Sequence, residues 1–487
     1  MAPDDRFERQ VRAGWNQKRI TDTAITTLGQ NSLYVDLFLT FLGFDHAVYA
    51  TGGAPKLEDR FMNLPLDGDK DLETIAHTMN PDSKATQLDA DLAPELALYL
   101  IRNSDFVIET RQDPKARKMT LDMLVNHGIP GAFISNAGNG ILVQPYHPAV
   151  MSVVDDRLKS YFLFTDGNDP HPLLNFGASA AAAGYAVKTI LDLGTKSKEP
   201  FVWNLGGQDR LWLDTDHVFD LDPRDLEGLT VYQVGTGGTG SAMAYLLTEV
   251  LSPKKLYVVD PKQVKESNLN RQFPFYQRQT IGKDKATEIQ RVLGPSSRTE
   301  VVPMIEEFGP DTEIPADVDL ILDCSSGFDN RYYIHDAARK LELPLISVGA
   351  DWKAGEATKY HPGFVSCSDC QIGHYDRAVW DALAGQRPGC DEVPQGSNII
   401  TTALMAAWGA GEIFAMARPE KYGSTPANRM VYRFLNDSQA YTEPVAGACD
   451  CLPRQLIVPS MKDVKYIDGA DGALAEILVK GEPIKRM

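Results

Sequence analysis

A glycine-rich loop within residues 231–285 is the part of the chain whose residue types and spacing most clearly indicate chemistry. It follows an apolar β-run and opens an alanine-rich helical segment, and its glycines are Gly235, Gly237, Gly238 and Gly240. Because glycine has no Cβ atom, the backbone can turn sharply and approach a phosphate, and the next helix offers free N–H groups. The sequence therefore predicts a phosphate-binding loop.

An acid and a polar, cationic cluster follow this loop. Asp260 closes the next apolar run, twenty residues after Gly240, where a carboxylate would hydrogen-bond ribose hydroxyls. Asn268, Arg271 and Lys285 come next. A hydride-transfer site has no need for such a cluster, whereas cations suit a triphosphate whose charge rises as a nucleotidyl group is transferred. We therefore predict an ATP site rather than an NAD site.

The motifs V-G-T-G-G-T-G, S-N-L-N-R-Q and G-K-D-K resemble the adenylation domain of ubiquitin-activating (E1-like) enzymes and of their sulfur-carrier-activating relatives in thiamine and molybdopterin synthesis. The resemblance covers residues 226–451. In that family the enzyme adenylates the C-terminal carboxylate of a small β-grasp protein and releases pyrophosphate. The resemblance implies that Asp260 holds the ribose and that Asn268, Arg271 and Lys285 contact the phosphates.

One position departs from the family pattern. The family has a magnesium-linked aspartate a few residues after the next strand, and a gapless match places Ser326 there, with Arg331 in register. A serine cannot replace the charge at a Mg²⁺ site, which takes hard anionic oxygen ligands. We expect Asp329 to serve instead, with Asp323 as the other candidate.

The elements that must position these residues are duplicated along the chain. Strand and helix patterns alternate, which predicts parallel sheets with helical crossovers. Residues 24–62 repeat the rhythm of residues 229–262 but keep only Gly29 of the glycine loop, and residues 175–191 resemble residues 396–414. We predict an α/β fold of two tandem Rossmann-like, ThiF-type adenylation domains that form a pseudo-dimer.

This duplication predicts the domain organisation. Residues 1–225 would form an inactive adenylation domain and residues 226–451 an active one, with a crossover loop at 371–397. Residues 452–487 would be a short C-terminal extension. Ubiquitin-type activating enzymes pair an inactive half with an active half, whereas the simpler bacterial members are homodimers of one domain. The chain resembles the first plan.

An arginine near the start of the chain is a further candidate for the active site. The segment R-F-E-R-Q contains Arg9 and resembles the family's R-Y-x-R-Q motif, whose second arginine reaches across the dimer to the γ-phosphate. By analogy Arg9 would come from the inactive half and stabilise the leaving pyrophosphate. The alternative is an ordinary solvated arginine on an exposed helix.

Two close cysteine pairs predict a metal site. Cys367 with Cys370, and Cys449 with Cys451, suit a tetrahedral Zn²⁺, because four thiolates close a structural site. The family has a zinc in this arrangement, usually with C-x-x-C at both ends, and the second pair here is C-x-C. The alternative is a set of thiols without metal. Cys324 ends an apolar strand and is most simply a buried core residue.

Cys390 is the candidate nucleophile. It lies in a Gly- and Pro-rich loop twenty residues after Cys370. In ubiquitin-type activating enzymes, the cysteine that takes up the activated protein as a thioester lies at about this distance after the first zinc pair. A thiol in such a loop can attack an acyl-adenylate. The alternative is a loop cysteine without a catalytic role, as in members that stop at the adenylate.

Composition sets the outer limits. The chain has 487 residues, is 43% hydrophobic and carries a net charge of −18. This acidity argues against nucleic acid and anionic membranes as partners. No apolar run reaches transmembrane length, and the start lacks a signal-peptide pattern. Six cysteines in so long a chain do not form a disulfide framework, so we expect a cytoplasmic protein.

Together these features predict an enzyme that uses ATP and Mg²⁺ to adenylate a ubiquitin-like protein. Arg271, Lys285 and Arg9 would stabilise the developing charge, and Cys390 would then form a thioester for transfer to a conjugating enzyme. Three alternatives stay open: a sulfur-carrier or peptide adenylyltransferase that stops at the acyl-adenylate, a non-catalytic ATP-binding scaffold, and an NAD-dependent dehydrogenase.

Overall fold

The computed structural model covers both predicted halves of the chain. It describes residues 5–29, 32–50, 73–74, 77, 82–88, 92–137, 140–151, 159, 162–163, 172–193, 201–204, 223–272, 278–295, 297–326, 328–362, 396–417, 427–434, 439–444, 464–467, 476–479 and 482–483. In these residues, no helix is both long and apolar enough to cross a membrane.

The first sheet has seven strands within the described residues, in the order β3-β2-β1-β4-β5-β6-β7. The strands from β3 to β5 run parallel, and β6 and β7 add antiparallel. Their bounds are β1 Ala24–Leu28, β2 His46–Ala50, β3 Thr86–Leu88, β4 Phe106–Glu109, β5 Gly131–Ala137, β6 Gly140–Tyr146 and β7 Phe201–Asn204.

The second sheet has eight strands in the part of the chain that the structure describes, in the order β10-β9-β8-β11-β12-β13-β14-β15. The strands from β10 to β12 are parallel and the last three antiparallel. Their bounds are β8 Thr230–Val234, β9 Lys255–Val259, β10 Glu300–Met304, β11 Leu320–Asp323, β12 Leu345–Ala350, β13 Ala354–Tyr360, β14 Ala427–Arg433 and β15 Gln439–Pro444.

A small antiparallel sheet follows near the end of the chain, formed by β16 Val464–Ile467, β17 Glu476–Val479 and β18 Glu482–Pro483. The α-helices among the described residues are α1 Glu8–Arg12, α2 Gln17–Thr21, α3 Leu33–Leu42, α4 Pro94–Arg102, α5 Pro114–His127, α6 Pro172–Leu191, α7 Gly238–Tyr245, α8 Lys285–Leu293, α9 Phe328–Lys340 and α10 Ile399–Ala417.

Local sequence explains where these helices begin and end. The side chain of Asp113 caps α5 by accepting a hydrogen bond from the backbone of Lys115 at 2.9 Å, and Pro114 occupies the first helical position. Gly128 ends this helix in the left-handed region. These are the residues that favour a helix start and stop, because they satisfy backbone groups that the helix leaves unpaired.

The two sheets repeat one topology, which confirms the predicted fold class. In each sheet, the third strand in the order pairs in parallel with the fourth. These strands are β1 and β4, where Leu28 lies opposite Glu109, and β8 and β11, where Val234 lies opposite Asp323. We call the part of the chain that ends with β7 the first half, and the part from β8 to β15 the second half. The domain boundary at residue 225 stays a prediction.

The two halves share one hydrophobic core. Helix α6 packs against α10, and both are almost entirely buried. An aromatic group joins the halves: the Phe176 ring lies 5.1 Å from that of Tyr34, 5.0 Å from that of Phe38 and 6.0 Å from that of Tyr245. The hydroxyl groups of Tyr34 and Tyr245 are 3.2 Å apart. The halves are therefore packed as one body at this seam.

Replacing the central ring of this seam tests whether the halves unfold together. We expect Phe176→Ala to lower the free energy of unfolding by about 3–5 kcal/mol, because it removes a fully buried ring. Calorimetry should show one transition at a lower temperature. The control Tyr99→Ala removes a ring that is 65% exposed and should change stability by less than about 0.5 kcal/mol. Two separate transitions in Phe176→Ala would contradict a shared core.

Candidate active site

A cavity of about 250 Å³ lies at the carboxyl ends of the second sheet's parallel strands. It lies where the strand order reverses between β8 and β11, the point at which open α/β sheets bind their ligands. The predicted site residues that line it are Arg9, Gly235, Gly237, Gly238, Asp260, Asn268, Arg271 and Lys285. The fold thus brings these residues, from both halves, to one cavity.

The glycines of the loop have different reasons to be glycine. Gly235 has φ of +92°, and a Cβ atom there would lie 2.7 Å from the carbonyl oxygen of Cys324. A Cβ atom on Gly240 would lie 2.0 Å from the carbonyl oxygen of Gly235. Gly237 caps α7 with nothing within 4 Å of its Cβ position. Gly240 does not line the cavity, so its role is to let the loop close.

Asp260 ties this loop to the end of β9. Its Oδ2 atom accepts hydrogen bonds from the backbone N–H of Thr236 at 2.8 Å and from the Thr236 hydroxyl at 2.7 Å. Its Oδ1 atom accepts one from the backbone of Lys262 at 2.9 Å. The carboxylate is 5% exposed. These contacts hold it at the cavity edge, where the ribose role stays a prediction.

The polar and cationic cluster is nearly buried. Asn268, Arg271 and Lys285 are 5%, 7% and 6% exposed. Asn268 Oδ1 accepts from the backbone of Lys265 at 2.9 Å, and Arg271 donates to the side chain of Asn270 at 3.0 Å. Lys285 is the first residue of α8. Cations in such a site attract an anionic ligand strongly, because little water screens them.

Arg9 reaches this cavity from the first half. The 3₁₀ turn Asp5–Phe7 packs against the 3₁₀ turn Glu266–Asn268, which places helix α1 beside the cation cluster. Arg9 lines the cavity and is 6% exposed. It is therefore not a solvated arginine on an exposed helix. Its contact with a γ-phosphate stays a prediction.

The acid at the end of β11 faces protein groups rather than the cavity. Asp323 Oδ1 accepts from the backbone and hydroxyl of Ser325 at 2.9 and 2.6 Å, and Oδ2 accepts from the Ser347 hydroxyl at 2.7 Å. Burial raises the pKa of this carboxyl, but Arg331, His335 and the hydrogen bonds outweigh burial and hold the pKa well below its usual range. Asp323 is an ionised structural carboxylate.

The magnesium ligand stays a prediction. Ser326 lines the cavity and is exposed, whereas Asp323 does not line it. Asp329 lies in the first turn of α9, and its side chain is outside the described residues.

The predicted zinc and thioester cysteines also lie outside the described residues; they are Cys367, Cys370, Cys390, Cys449 and Cys451. Cys324 is a buried free thiol, as expected, and burial raises its pKa. Among the described residues, no three His, Cys, Asp or Glu side chains are grouped to hold a metal ion. The zinc site thus stays untested.

Several cavity residues carry no motif in the sequence. Glu306, Glu307 and Phe308 follow β10, and Asp351 follows β12. Their one signal is position, since the carboxyl ends of parallel strands meet at one sheet edge. Thr402, in the first turn of α10, also lines the cavity, and nothing in the sequence marked it.

In the first half, a long side chain lies beside the glycine that matches Gly235. Gly29 corresponds to Gly235 and has φ of +116°, but its Cβ position lies 2.8 Å from Cγ of Arg111. Arg111 forms an ion pair with Glu109 at 2.6 Å and donates to the Thr120 hydroxyl at 2.8 Å. A long side chain thus lies beside Gly29, whereas the short Ser325 follows the backbone that contacts Gly235.

Comparison with known proteins gives a family match to the second half. A model of the ThiF family matches residues 215–444. The adenylyltransferase and sulfurtransferase UBA4 of Yarrowia lipolytica is 31% identical over 150 residues, 30% of this chain and 37% of the relative. The sulfur carrier protein adenylyltransferase of Thermus thermophilus is 31% identical over 140 residues, 28% of this chain and 51% of the relative.

The NEDD8-activating enzyme E1 catalytic subunit of Saccharomyces cerevisiae is 29% identical over 152 residues, 28% of this chain and 50% of the relative. The chain thus spans about half or less of the length of these relatives. A crystal structure of E. coli MccB with ATP aligns over 47% of this chain and 68% of its own, with a TM-score of 0.39 and 18% identity. So weak a structural likeness bears on neither site nor activity.

Two glycine substitutions separate loop closure from ligand contact. We expect Gly240→Ala to lower the free energy of unfolding by about 1–3 kcal/mol and to abolish ATP binding, because the added methyl group overlaps backbone. The methyl group added in Gly237→Ala has open space around it. It should leave the free energy of unfolding nearly unchanged, although it narrows the cavity. Chemical denaturation and titration calorimetry with ATP give both readouts. Equal stability of the two variants would contradict the role given to Gly240.

Proposed function

We propose that this chain, whose residues 215–444 form a ThiF family domain, is an ATP-dependent adenylyltransferase that activates the C-terminal carboxylate of a β-grasp protein. The observation that carries the proposal is the convergence of a glycine loop, Asp260 and a buried cation cluster on one cavity. The family match and the names of the relatives support the activity.

In the proposed reaction a carboxylate oxygen of the carrier attacks the α-phosphorus of ATP. A new O–P bond forms, the bond from the α-phosphorus to the β-bridging oxygen breaks, and pyrophosphate leaves with the electron pair. Arg271 and Lys285, with Arg9 from the first half, stabilise the negative charge that develops on the phosphates. Nearly buried cations suit this work because they are already oriented before the reaction.

Magnesium enters the proposal with ATP. Asp260, which lines the cavity, already accepts three hydrogen bonds from the protein, and Ser326 takes the family's aspartate position. We therefore assign the magnesium contact to Asp329. When bound, the ion would neutralise part of the negative charge of the triphosphate. Arginine and lysine side chains of the site would compensate the rest.

The carrier is proposed to be a ubiquitin-like protein. After adenylation, the thiolate of Cys390 would attack the acyl carbon, form a thioester and release AMP, ready for transfer to a conjugating enzyme. The zinc at the two cysteine pairs and a cytoplasmic setting belong to this proposal. The alternative is a sulfur-carrier adenylyltransferase that stops at the acyl-adenylate, because relatives of both kinds match the chain.

Carrier-dependent exchange of pyrophosphate into ATP tests the adenylation step. We expect exchange with a β-grasp protein that ends in glycine, and a loss of roughly 100-fold to 1,000-fold in Lys285→Ala, because a preorganised cation is removed. The matched control is Lys283→Ala, two residues earlier and 53% exposed, which should keep the wild-type rate. A wild-type chain that binds ATP but never exchanges pyrophosphate would be a scaffold instead.

Intact-mass analysis under non-reducing conditions tests the thioester step. We expect ATP and the carrier to add one carrier mass minus water to the enzyme, in a form that thiols remove. Cys390→Ala should lose this adduct while retaining pyrophosphate exchange, and Cys324→Ala, which removes a buried thiol, should keep it. Exchange without any adduct in the wild type would favour the sulfur-carrier alternative.

A further inference from the structure

An acid and an arginine recur at the same place in both halves. In the first half, Glu109 ends β4 and Arg117 lies eight residues later in α5. In the second half, Asp323 ends β11 and Arg331 lies eight residues later in α9. The two acids occupy matching positions, because Glu109 lies opposite the last residue of β1 and Asp323 lies opposite the last residue of β8.

Arg117 uses its guanidinium to hold the loop after β4. It donates to the carbonyl oxygens of Arg111 and Ile134, each at 2.8 Å, and to the hydroxyl of Ser135 at 2.5 Å. Its Nε atom donates to the carbonyl oxygen of Phe162 at 2.8 Å. Arg117 is fully buried. A planar group with several fixed donors suits this task, and no flexible ammonium would replace it.

Arg331 makes the corresponding contacts in the second half. It donates to the carbonyl oxygen of Ser325 at 3.4 Å, and its Nε atom lies 3.8 Å from Asp323 Oδ2. A Cβ atom on Gly349 would lie 2.3 Å from its Nη2 atom. By strand register Ser325 matches Arg111, and Gly349 matches Ser135. The arginine therefore holds the same loop in each half.

The loop that Arg331 holds packs directly against the glycine loop. The Cβ position of Gly235 lies 2.7 Å from the carbonyl oxygen of Cys324 and 3.0 Å from the backbone nitrogen of Ser325. The backbone of Cys324 also donates to Val234 at 2.8 Å. Because these backbone atoms are in contact, a shift of residues 324–326 displaces the glycine loop as well.

We propose that Arg331, which also lines the cavity, is a positioning residue for nucleotide binding: it holds residues 324–326 against the glycine loop, so that the loop is preorganised before ATP arrives. The assignment rests on the proposed function. The first half keeps the same arginine but retains only Gly29 of the glycine loop, so there we expect the arginine to serve stability alone. Arg117 is thus an internal control for the purely structural part of the role.

The test compares Arg331→Gln, Arg331→Lys and Arg117→Gln in the full chain. We expect Arg331→Gln to raise the Kd for ATP, measured by titration calorimetry without carrier, about tenfold, the size of one lost charged hydrogen bond. The KM for ATP in pyrophosphate exchange should rise by the same factor, with kcat at saturating ATP within about threefold, because only binding loses preorganisation. Arg331→Lys should bind ATP no better than Arg331→Gln does.

The control should separate stability from binding. We expect Arg117→Gln to lower the melting temperature and to leave the Kd for ATP unchanged. If that variant does not fold, Ser135→Ala removes a single contact of Arg117 and serves in its place. Unchanged ATP affinity in Arg331→Gln, with a lowered melting temperature, would reduce Arg331 to the role of Arg117 and overturn the proposal.

Two further outcomes are informative. A fall in kcat at saturating ATP with an unchanged Kd would make Arg331 a group that touches the reacting atoms, which also overturns the positioning role. A wild-type chain that binds no ATP contradicts the proposed function itself, and the assignment to Arg331 falls with it. If only the assignment to Arg331 is wrong, the wild type still binds ATP normally. That result distinguishes this failure from failure of the proposed function.

Discussion

The close contact between the glycine loop and the backbone after β11 is the constraint on which the candidate site depends. Gly235 and the carbonyl of Cys324 are so near that no side chain fits between them. The cavity edge is therefore formed by backbone, and its position depends on what holds residues 324–326. Asp323 and Arg331 do so through hydrogen bonds with Ser325, and Arg331 also lines the cavity. An ionised acid is kept buried at this point because hydrogen bonds and two basic groups compensate its loss of water.

The two halves of the molecule diverge at one position of a shared framework. The residue two places after the strand-end acid is Ser325 in the second half and Arg111 in the first. The short serine donates a hydrogen bond to Asp323, whereas the arginine forms an ion pair with Glu109. The first half nevertheless contributes to the open site, since Arg9 lines it. Because both halves belong to one chain and share the core around Phe176, Arg9 is held at the cavity of the second half.

Much of the fold and of the candidate site was predictable from the sequence, for local reasons. The glycine loop, Asp260 and the cluster from Asn268 to Lys285 lie within one stretch of chain, and each follows a strand or opens a helix. The cavity residues Glu306 and Asp351 were missed because they come from other strands and carry no motif. The sequence leaves Asp323 open as a magnesium ligand, because its neighbours in the chain do not reveal that its oxygens face Ser325 and Ser347.

The sequence by itself determined the order of elements, the duplication and the chemical character of the loop, because residue type and spacing act through the backbone over short distances. Only the tertiary structure showed that Arg9 lines the same cavity as the cation cluster and that Glu306 and Asp351 line it too. It also placed Arg331 beside the backbone after β11, which contacts the glycine loop. These facts depend on which atoms fill a shared space, and that is settled by packing between segments far apart in the chain.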